Sequence, residues 1–230
     1  MNPNDDFRFP NDQQRLVILG ATGSGKTNAA LWHLSQRNFD EKPWVIYDFK
    51  HDDLIESIEG AQHIDVGAPP PVRPGLYVVN PSPGQESDVD DQMMRIWNQE
   101  NVGVYVDEGY MVPKNSIGFR SILTQGRSKH IPVITLSQRP VWMDRFVFTE
   151  ANYIQVFRLQ HIDDTKSVEG FVPNPTDDPK KHPLRKRLPE YWSYYYDVGR
   201  NKLMEVKPVP DPDTIIDTFD LRLRRIQRTI

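Results

Sequence analysis

A short run of small and hydroxylated residues near the amino terminus, GATGSGKT at positions 20–27, has the composition needed to hold a chain of phosphates. The run fits the pattern G-x-x-x-x-G-K-[S/T], follows an apolar segment at 16–19, and leads into a helix-forming segment. Glycines let successive backbone N–H groups turn toward phosphate oxygens, and a helix N-terminus adds the positive end of its dipole. The pattern predicts binding of a nucleoside triphosphate, with ATP as the expected ligand. The predicted binding residues are Gly20, Ala21, Thr22, Gly23, Ser24, Gly25, Lys26, Thr27 and Asn28.

Two residues of this loop and an acidic pair further along the chain could together hydrolyse the nucleotide. Lys26 is placed to reach the β- and γ-phosphates, and the Thr27 hydroxyl is a Mg²⁺ ligand in this motif. A hydrophobic run at 102–106 ends in Asp107 and Glu108. Because the carboxyl ends of parallel strands meet at one edge of a sheet, the pair is expected beside the loop. Asp107 would then hold Mg²⁺, directly or through water, and Glu108 would act as the general base on the attacking water.

The segment at 126–140 supplies further polar candidates. Gln138 ends the next predicted strand, where its amide can sense the γ-phosphate or orient water. Arg127 precedes that strand, so it is expected at the opposite end of the sheet from the phosphate-binding loop (P-loop) at 20–27 of its own chain. An arginine there is poorly placed for its own nucleotide but can reach that of a neighbouring subunit, where it would neutralise charge on the γ-phosphoryl group. Arg139 is the alternative for this role. A surface charge is the competing explanation for both arginines, and it fits Arg139 better than Arg127.

These residues need a parallel sheet to bring them together, and the hydrophobic pattern predicts one. Near-continuous apolar, β-branched runs alternate with helical patterns, which is typical of an α/β fold with a mostly parallel sheet between helices. The predicted strands are 16–19, 44–47, 76–79, 102–106, 133–136 and 153–157, and the predicted helices are 26–36, 52–59, 86–99, 116–127 and 164–170.

The pattern changes after Phe171. A polar, proline-rich stretch at 174–183 is followed by a predicted β-hairpin, 191–198 and 202–207, and then by an amphipathic helix at 213–230. We therefore predict an ATPase core at 1–172 and a C-terminal appendage at 173–230, packed on the core or on a neighbouring subunit. The helix has an apolar stripe of Ile215, Phe219, Leu223 and Ile226, and a basic face of Arg222, Arg224, Arg225 and Arg228.

The composition excludes several classes of protein. The 230 residues contain no cysteine, so disulfides and thiolate metal sites are excluded and a reducing cytoplasm is expected. The sequence has no apolar stretch of membrane-spanning length and no signal peptide, which predicts no transmembrane segment and no export. The six histidines show no metal-ligand spacing, which leaves Mg²⁺ as the expected metal. The net charge is −4, yet residues 180–230 carry twelve Lys and Arg against seven Asp and Glu.

The chain resembles the FtsK–HerA superfamily of ring-forming, DNA-pumping ATPases. WVIYDFK at 44–50 is similar to the second-strand signature IDPK, with Phe49 in place of proline. The segment at 126–140 resembles the block GRxxGIHLILATQRP and ends in the same Gln-Arg-Pro, and residues 151–165 parallel a further block. The resemblance covers about 15–172, without the membrane anchor and winged helix of bacterial FtsK or the barrel of cellular HerA. A bare motor of this length is similar to the genome-packaging ATPases of membrane-containing icosahedral phages and related viruses.

The resemblance implies a RecA-like P-loop fold and an ATP-driven translocase of double-stranded DNA that packages a viral genome. It implies a homo-oligomeric ring of five or six copies, contacts with capsid or membrane vertex proteins, and a location in the host cytoplasm or the virion. The implied catalytic residues are Lys26, Glu108, Gln138 and Arg127.

Two other functions fit the same residues. One is a phage morphogenesis or export ATPase that acts on single-stranded DNA or protein, although such proteins usually carry a membrane anchor. The other is a nucleotide-gated structural subunit that docks at a capsid or membrane vertex through the helix at 213–230. For a translocase, the candidate DNA contacts are Lys114, Arg120 and the run at 180–187, which a solvated charged surface also explains.

Overall fold

The computed structural model describes residues 7–176 and 178–227. Within these residues, nine strands form a single mixed sheet. The strands are β1 (Arg15–Leu19), β2 (Pro43–Asp48), β3 (Gln62–His63), β4 (Gly75–Val79), β5 (Gly103–Asp107), β6 (Val133–Ser137), β7 (Tyr153–Val156), β8 (Ser193–Asp197) and β9 (Lys202–Val206). Their order in the sheet is β3-β4-β2-β5-β6-β1-β7-β8-β9. All neighbouring pairs from β3 to β7 are parallel, whereas β8 and β9 are antiparallel and extend the sheet beyond β7.

Helices cover both faces of the sheet and bury the central strands. Val17 and Leu19 of β1 belong to one hydrophobic cluster, and Leu16 and Ile18 belong to the cluster on the other face. Because the side chains of residues 16–19 all meet a packed layer, this part of β1 is an unbroken apolar run, as the sequence indicates. The expected α/β fold is therefore confirmed. The helices are α1 (Lys26–Ser35), α2 (Asp53–Glu56), α3 (Glu86–Gln99), α4 (Ile117–Gln125), α5 (Phe146–Thr149), α6 (Ile162–Glu169) and α7 (Pro212–Gln227).

The six strands predicted before residue 172 all form with ends that differ by at most one residue, whereas three of the helices predicted there differ from their predicted bounds by two residues or more. The helix predicted at 52–59 ends at Glu56, where the Ser57 hydroxyl donates to the Leu54 carbonyl and competes with further helix. The helix predicted at 116–127 ends at Gln125, because the carbonyl of Gly126 accepts from the backbone N–H of Ile131 and turns the chain. The helix predicted from 164 already begins at Ile162.

The predicted hairpin is confirmed as β8 and β9, and β8 pairs directly with β7. The three consecutive tyrosines of β8, Tyr194, Tyr195 and Tyr196, are buried. This aromatic strand therefore packs in the core and does not form an exposed surface on which nucleic-acid bases could stack. The division into a core at 1–172 and an appendage at 173–230 stays a prediction.

The C-terminal helix packs on the same chain. The Asp211 carboxylate accepts a hydrogen bond from Thr214 N–H at 2.9 Å and caps α7. Ile215 and Phe219 are fully buried in the cluster that contains α1, and the Phe219 ring stacks on Phe39 with centroids 5.9 Å apart. The apolar stripe thus faces its own core; the predicted residues Arg228 to Ile230 lie outside the described residues. No helix in the described ranges combines the length and hydrophobicity that crossing a membrane requires.

Candidate active site

The glycine-rich loop at 20–27 is hydrogen-bonded to the carboxyl ends of two strands, β6 and β7. Gly20 N–H donates to the carbonyl of Ser137, the last residue of β6, at 3.2 Å, and Ala21 N–H donates to the Arg158 carbonyl after β7 at 2.9 Å. Gly25 precedes α1 with φ of 92°, a left-handed conformation in which a side chain would be strained, and a Cβ there would press on the Tyr191 ring. The loop therefore keeps its backbone N–H groups at the start of α1, where phosphates bind.

Strand order then brings the acidic pair to this loop. β5 is separated from β1 only by β6, so Asp107 and Glu108 lie at the same edge of the sheet as Lys26. The Lys26 ammonium is 3.7 Å from Glu108 Oε1, and the two side chains are 5% and 0% exposed. Burial lowers the pKa of Lys26, because removal from water disfavours the ammonium form. The predicted meeting of loop lysine and acidic pair is present in the structure.

Asp107 is a buried carboxylate with no hydrogen-bond partner in the part of the chain that the structure describes. Its side chain is fully buried, and neither oxygen has a hydrogen bond within the described residues. Burial first, and then the charge of Glu108, raise the pKa of Asp107 to about 7. An orphaned carboxylate beside a phosphate-binding loop fits Mg²⁺, which prefers oxygen ligands and completes its shell with water and phosphate. Thr27, the other predicted ligand, is the second residue of α1.

Gln138 connects the loop to the acidic pair. Its side-chain oxygen accepts a hydrogen bond from the Thr22 hydroxyl, and its backbone N–H donates to Glu108 Oε2 at 3.1 Å. Its amide nitrogen is 3.4 Å from the Tyr110 hydroxyl. Gln138 therefore lies between the phosphate loop and the strand that ends in Asp107, where the sequence predicts it.

Lys50 is the site residue to which sequence reasoning gave no role. It follows β2, the strand next to β5, and its ammonium contacts Glu108 Oε1. Burial opposes the charged form of Lys50, but the hydrogen bond and charge of Glu108 outweigh it and raise the pKa. The signal in the sequence is a lysine just after an apolar strand. Its partner is set by the order of strands, which hydrophobic patterning leaves open.

The two candidate arginines lie in different surroundings. Arg127 is exposed in the turn before β6, near the start of β1, where its charge helps burial to lower the pKa of Arg15. It is thus at the amino-terminal ends of the strands, opposite the loop, as predicted. Arg139 instead forms an ion pair with the buried Asp164 at 3.2 Å, and its guanidinium lies 4.1 Å from the centre of the Trp142 ring.

Several of the predicted DNA contacts have acidic partners in the same chain. Arg120 pairs with Asp144 at 2.7 Å, and Lys186 pairs with Glu205 at 2.9 Å. Within the run at 180–187, Arg185 also makes two hydrogen bonds to Glu169. These pairs leave fewer unpaired positive charges for DNA than the candidate list contains. Lys114 lies exposed in the loop before α4.

An Asp107→Asn variant is expected to be more stable than the parent chain by about 2–4 kcal/mol near pH 8. The folded pKa of Asp107, about 7, lies above its ordinary value of 3.8, so ionisation favours the unfolded chain. Stability is lost as the pH rises from about 4 to about 7, and the loss levels off above that. The asparagine variant lacks this loss, so urea unfolding without nucleotide or magnesium should show a difference that grows with pH.

The matched control for this measurement is Asp164→Asn, since Asp164 is equally buried but paired with Arg139. That variant should lose stability at neutral pH. A difference between Asp107→Asn and the parent that does not change with pH would contradict the assignment of a raised pKa to Asp107.

A P-loop beside a buried acidic pair on a parallel sheet defines the chain as a P-loop ATPase. Over 224 residues it is 46% identical to the DNA packaging ATPase P9 of Enterobacteria phage PRD1, and the alignment covers 96% of this chain and 98% of that protein. The chain therefore belongs to the family of phage DNA-packaging ATPases that includes the PRD1 protein. No protein-family model matches the sequence.

Solved structures with low sequence identity share the fold. The chain is similar to the genome packaging NTPase B204 of Sulfolobus turreted icosahedral virus 2 in complex with AMPPCP, with TM-score 0.65, 14% identity, and coverage of 87% of this chain and 100% of that one. It is also similar to ATPases 2 and 3 of EssC from Geobacillus thermodenitrificans, with TM-score 0.64, 12% identity, and coverage of 94% of this chain and 45% of that one.

Proposed function

We propose that this chain is an ATP-driven translocase of double-stranded DNA that packages a viral genome as a homo-oligomeric ring. The observation that carries the proposal is that the Lys26 ammonium of the P-loop lies 3.7 Å from Glu108 Oε1 at the end of β5. This site occurs in a chain that is 46% identical to a DNA packaging ATPase. Hydrolysis releases the free energy, and movement of the subunits relative to one another applies it to DNA.

Each residue of the site has a distinct role in this proposal. The loop residues 20–28 hold the phosphates through backbone N–H groups, and Lys26 neutralises the β- and γ-phosphates. Glu108 accepts a proton from the attacking water. Gln138 holds that carboxylate in position next to the loop through its backbone N–H. Asp107 and Thr27 hold Mg²⁺, which neutralises charge on the β- and γ-phosphates.

Arg127 acts on the nucleotide of a neighbouring subunit. Its exposure and its position opposite the P-loop support this role, because it stands away from its own site and is open to a second copy. Arg139 is the weaker candidate, since Asp164 and Trp142 already engage its guanidinium. Catalysis would then require assembly into a ring of five or six copies.

Contacts with DNA come from exposed basic residues that lack an ion-pair partner within the described residues, of which Lys114, Lys180 and Arg187 are the candidates. A ring grips DNA through phosphates, and a few such contacts per subunit suffice for binding that weakens with salt. The protein would work in the host cytoplasm and at a vertex of the virion, next to capsid or membrane proteins.

The test is ATP hydrolysis by the purified chain with duplex DNA, with single-stranded DNA and without DNA, together with electron microscopy of the assemblies. We expect duplex DNA to stimulate hydrolysis, with salt weakening the stimulation, and rings that enclose the duplex. Stimulation by single-stranded DNA alone would instead support the export or morphogenesis function. A fully active monomer that ignores DNA would overturn the proposal.

A further inference from the structure

Two lysines share one oxygen of the proposed catalytic base. The ammonium groups of Lys26 and Lys50 both approach Glu108 Oε1, while Glu108 Oε2 accepts the Gln138 backbone N–H. The carboxylate is fully buried, so these donors, and not bulk water, satisfy it. The two ammonium groups together occupy the lone-pair sites of Oε1. The attacking water can therefore reach this oxygen only after one of the lysines has moved away.

The backbone around Lys50 is fixed, whereas its side chain is free to reorient. Fully buried Asp48 accepts hydrogen bonds from the backbone N–H of Lys50 at 3.1 Å and of Asp52 at 2.9 Å, which holds the loop after β2. The Lys50 side chain itself is 35% exposed. A lysine ammonium on a four-carbon stem can change partner without any movement of its backbone.

The position of Lys50 brings it within reach of the γ-phosphate. The Lys50 ammonium contacts Glu108 Oε1, and the Lys26 ammonium lies 3.7 Å from the same atom. In a P-loop, the lysine in the position of Lys26 binds the β- and γ-phosphates. The ammonium groups repel each other while they share a single negative charge. A γ-phosphate adds negative charge and several acceptor oxygens next to both, so it competes with Glu108 for them.

We propose that Lys50 is a second phosphate-contacting lysine, whose ammonium exchanges between Glu108 Oε1 and the γ-phosphate of bound ATP. The inference rests on the proposed ATPase function. Transfer of Lys50 to the phosphate opens Glu108 Oε1 to the attacking water only when a γ-phosphate is present. Water oxygen then bonds to the γ-phosphorus, the bond to the β–γ bridging oxygen breaks, ADP leaves, and one water proton passes to Glu108. After phosphate release, Lys50 returns to Glu108.

The experiment compares binding of AMPPCP and of ADP to the unaltered chain and to Lys50→Met, and then measures kcat and KM for ATP. We expect Lys50→Met to bind ADP as the parent does but AMPPCP about 10- to 100-fold more weakly, the loss of one hydrogen bond between charged groups. The kcat should fall as well. Lys50→Arg should recover much of the preference for AMPPCP, since it keeps the charge.

Lys129→Met is the matched control, because Lys129 also forms a lysine–glutamate pair, with Glu100 at 2.6 Å, but in the loop before β6, away from the P-loop. It should leave the ratio of the two affinities unchanged. If Lys50→Met does not fold, Lys50→Gln replaces it, with the same expected loss. Equal weakening of AMPPCP and ADP, or an unchanged ratio, would overturn the inference and leave Lys50 as a structural partner of Glu108. Since both ligands resist hydrolysis and no DNA is used, this result is independent of failure to hydrolyse ATP or to respond to DNA.

Discussion

A Glu108→Gln variant is expected to bind ATP normally but to hydrolyse it about 10²- to 10⁴-fold more slowly than the unaltered chain. The amide keeps the size of the side chain and can still accept the Gln138 backbone N–H, which is 3.1 Å from Glu108 Oε2. It cannot take a proton from water, so the chemical step is lost while the loop around Lys26 remains. Single-turnover hydrolysis and ATP binding, measured on the same preparation, separate the two effects.

The control for this variant is Glu100→Gln. Glu100 also pairs with a lysine, Lys129, but lies after α3 and outside the site. Its hydrolysis rate should match that of the parent chain. A Glu108→Gln protein with an unchanged kcat would remove Glu108 from the role of base, and one that no longer binds ATP would assign it a structural role in the nucleotide site.

The second large effect is expected at Arg127. Its replacement with alanine should reduce kcat by about 10³- to 10⁵-fold, the range for an arginine that stabilises the transition state of phosphoryl transfer. ATP affinity should change little, because Arg127 lies at the other end of the sheet from the P-loop of its own chain. Arg95→Ala, at an exposed arginine on α3, is the control and should keep the parental rate.

Mixing two inactive variants tests whether Arg127 acts between subunits. Lys26→Ala lacks a functional P-loop but keeps Arg127, and Arg127→Ala has the reverse defect. In a mixed ring, an Arg127→Ala subunit next to a Lys26→Ala subunit forms one complete site, so hydrolysis should recover in the mixture. Co-assembled variants that stay inactive together would show that Arg127 does not serve a neighbour.

The sequence predicts the centre of this site well, for a physical reason. The P-loop follows one buried strand and the pair Asp107-Glu108 lies at the end of another, and a parallel sheet brings such positions to one edge whatever the details of packing. The strand ends are equally clear, because strands covered on both faces are continuous apolar runs. β3 is the exception: its residues Gln62 and His63 are exposed and polar, so their pairing with β4 leaves no pattern in the sequence.

Contacts that depend on strand order or on single ion pairs are beyond such reasoning. Lys50 meets Glu108 only because β2 lies next to β5 in the sheet. The sequence places Arg127 before β6 and Arg139 after it, but it does not show that Arg139 pairs with Asp164 from α6. Likewise, the basic count of the C-terminal region overstates its free charge, because carboxylates such as Glu169 and Glu205 pair with that region's side chains.

The position of β6 has a mechanical consequence. This buried strand has Gln138 just beyond its carboxyl end and the turn with Arg127 just before its amino end, and it is hydrogen-bonded on both sides, to β1 and β5. Five strand residues span only about 13 Å from first to last. If Arg127 serves the next subunit, β6 is a short rigid connection between two consecutive catalytic centres. Loss of the γ-phosphate at the carboxyl end of β6 would then shift Arg127 at the amino end. ATP hydrolysis would proceed from one subunit to the next around the ring without a large hinge movement inside a subunit.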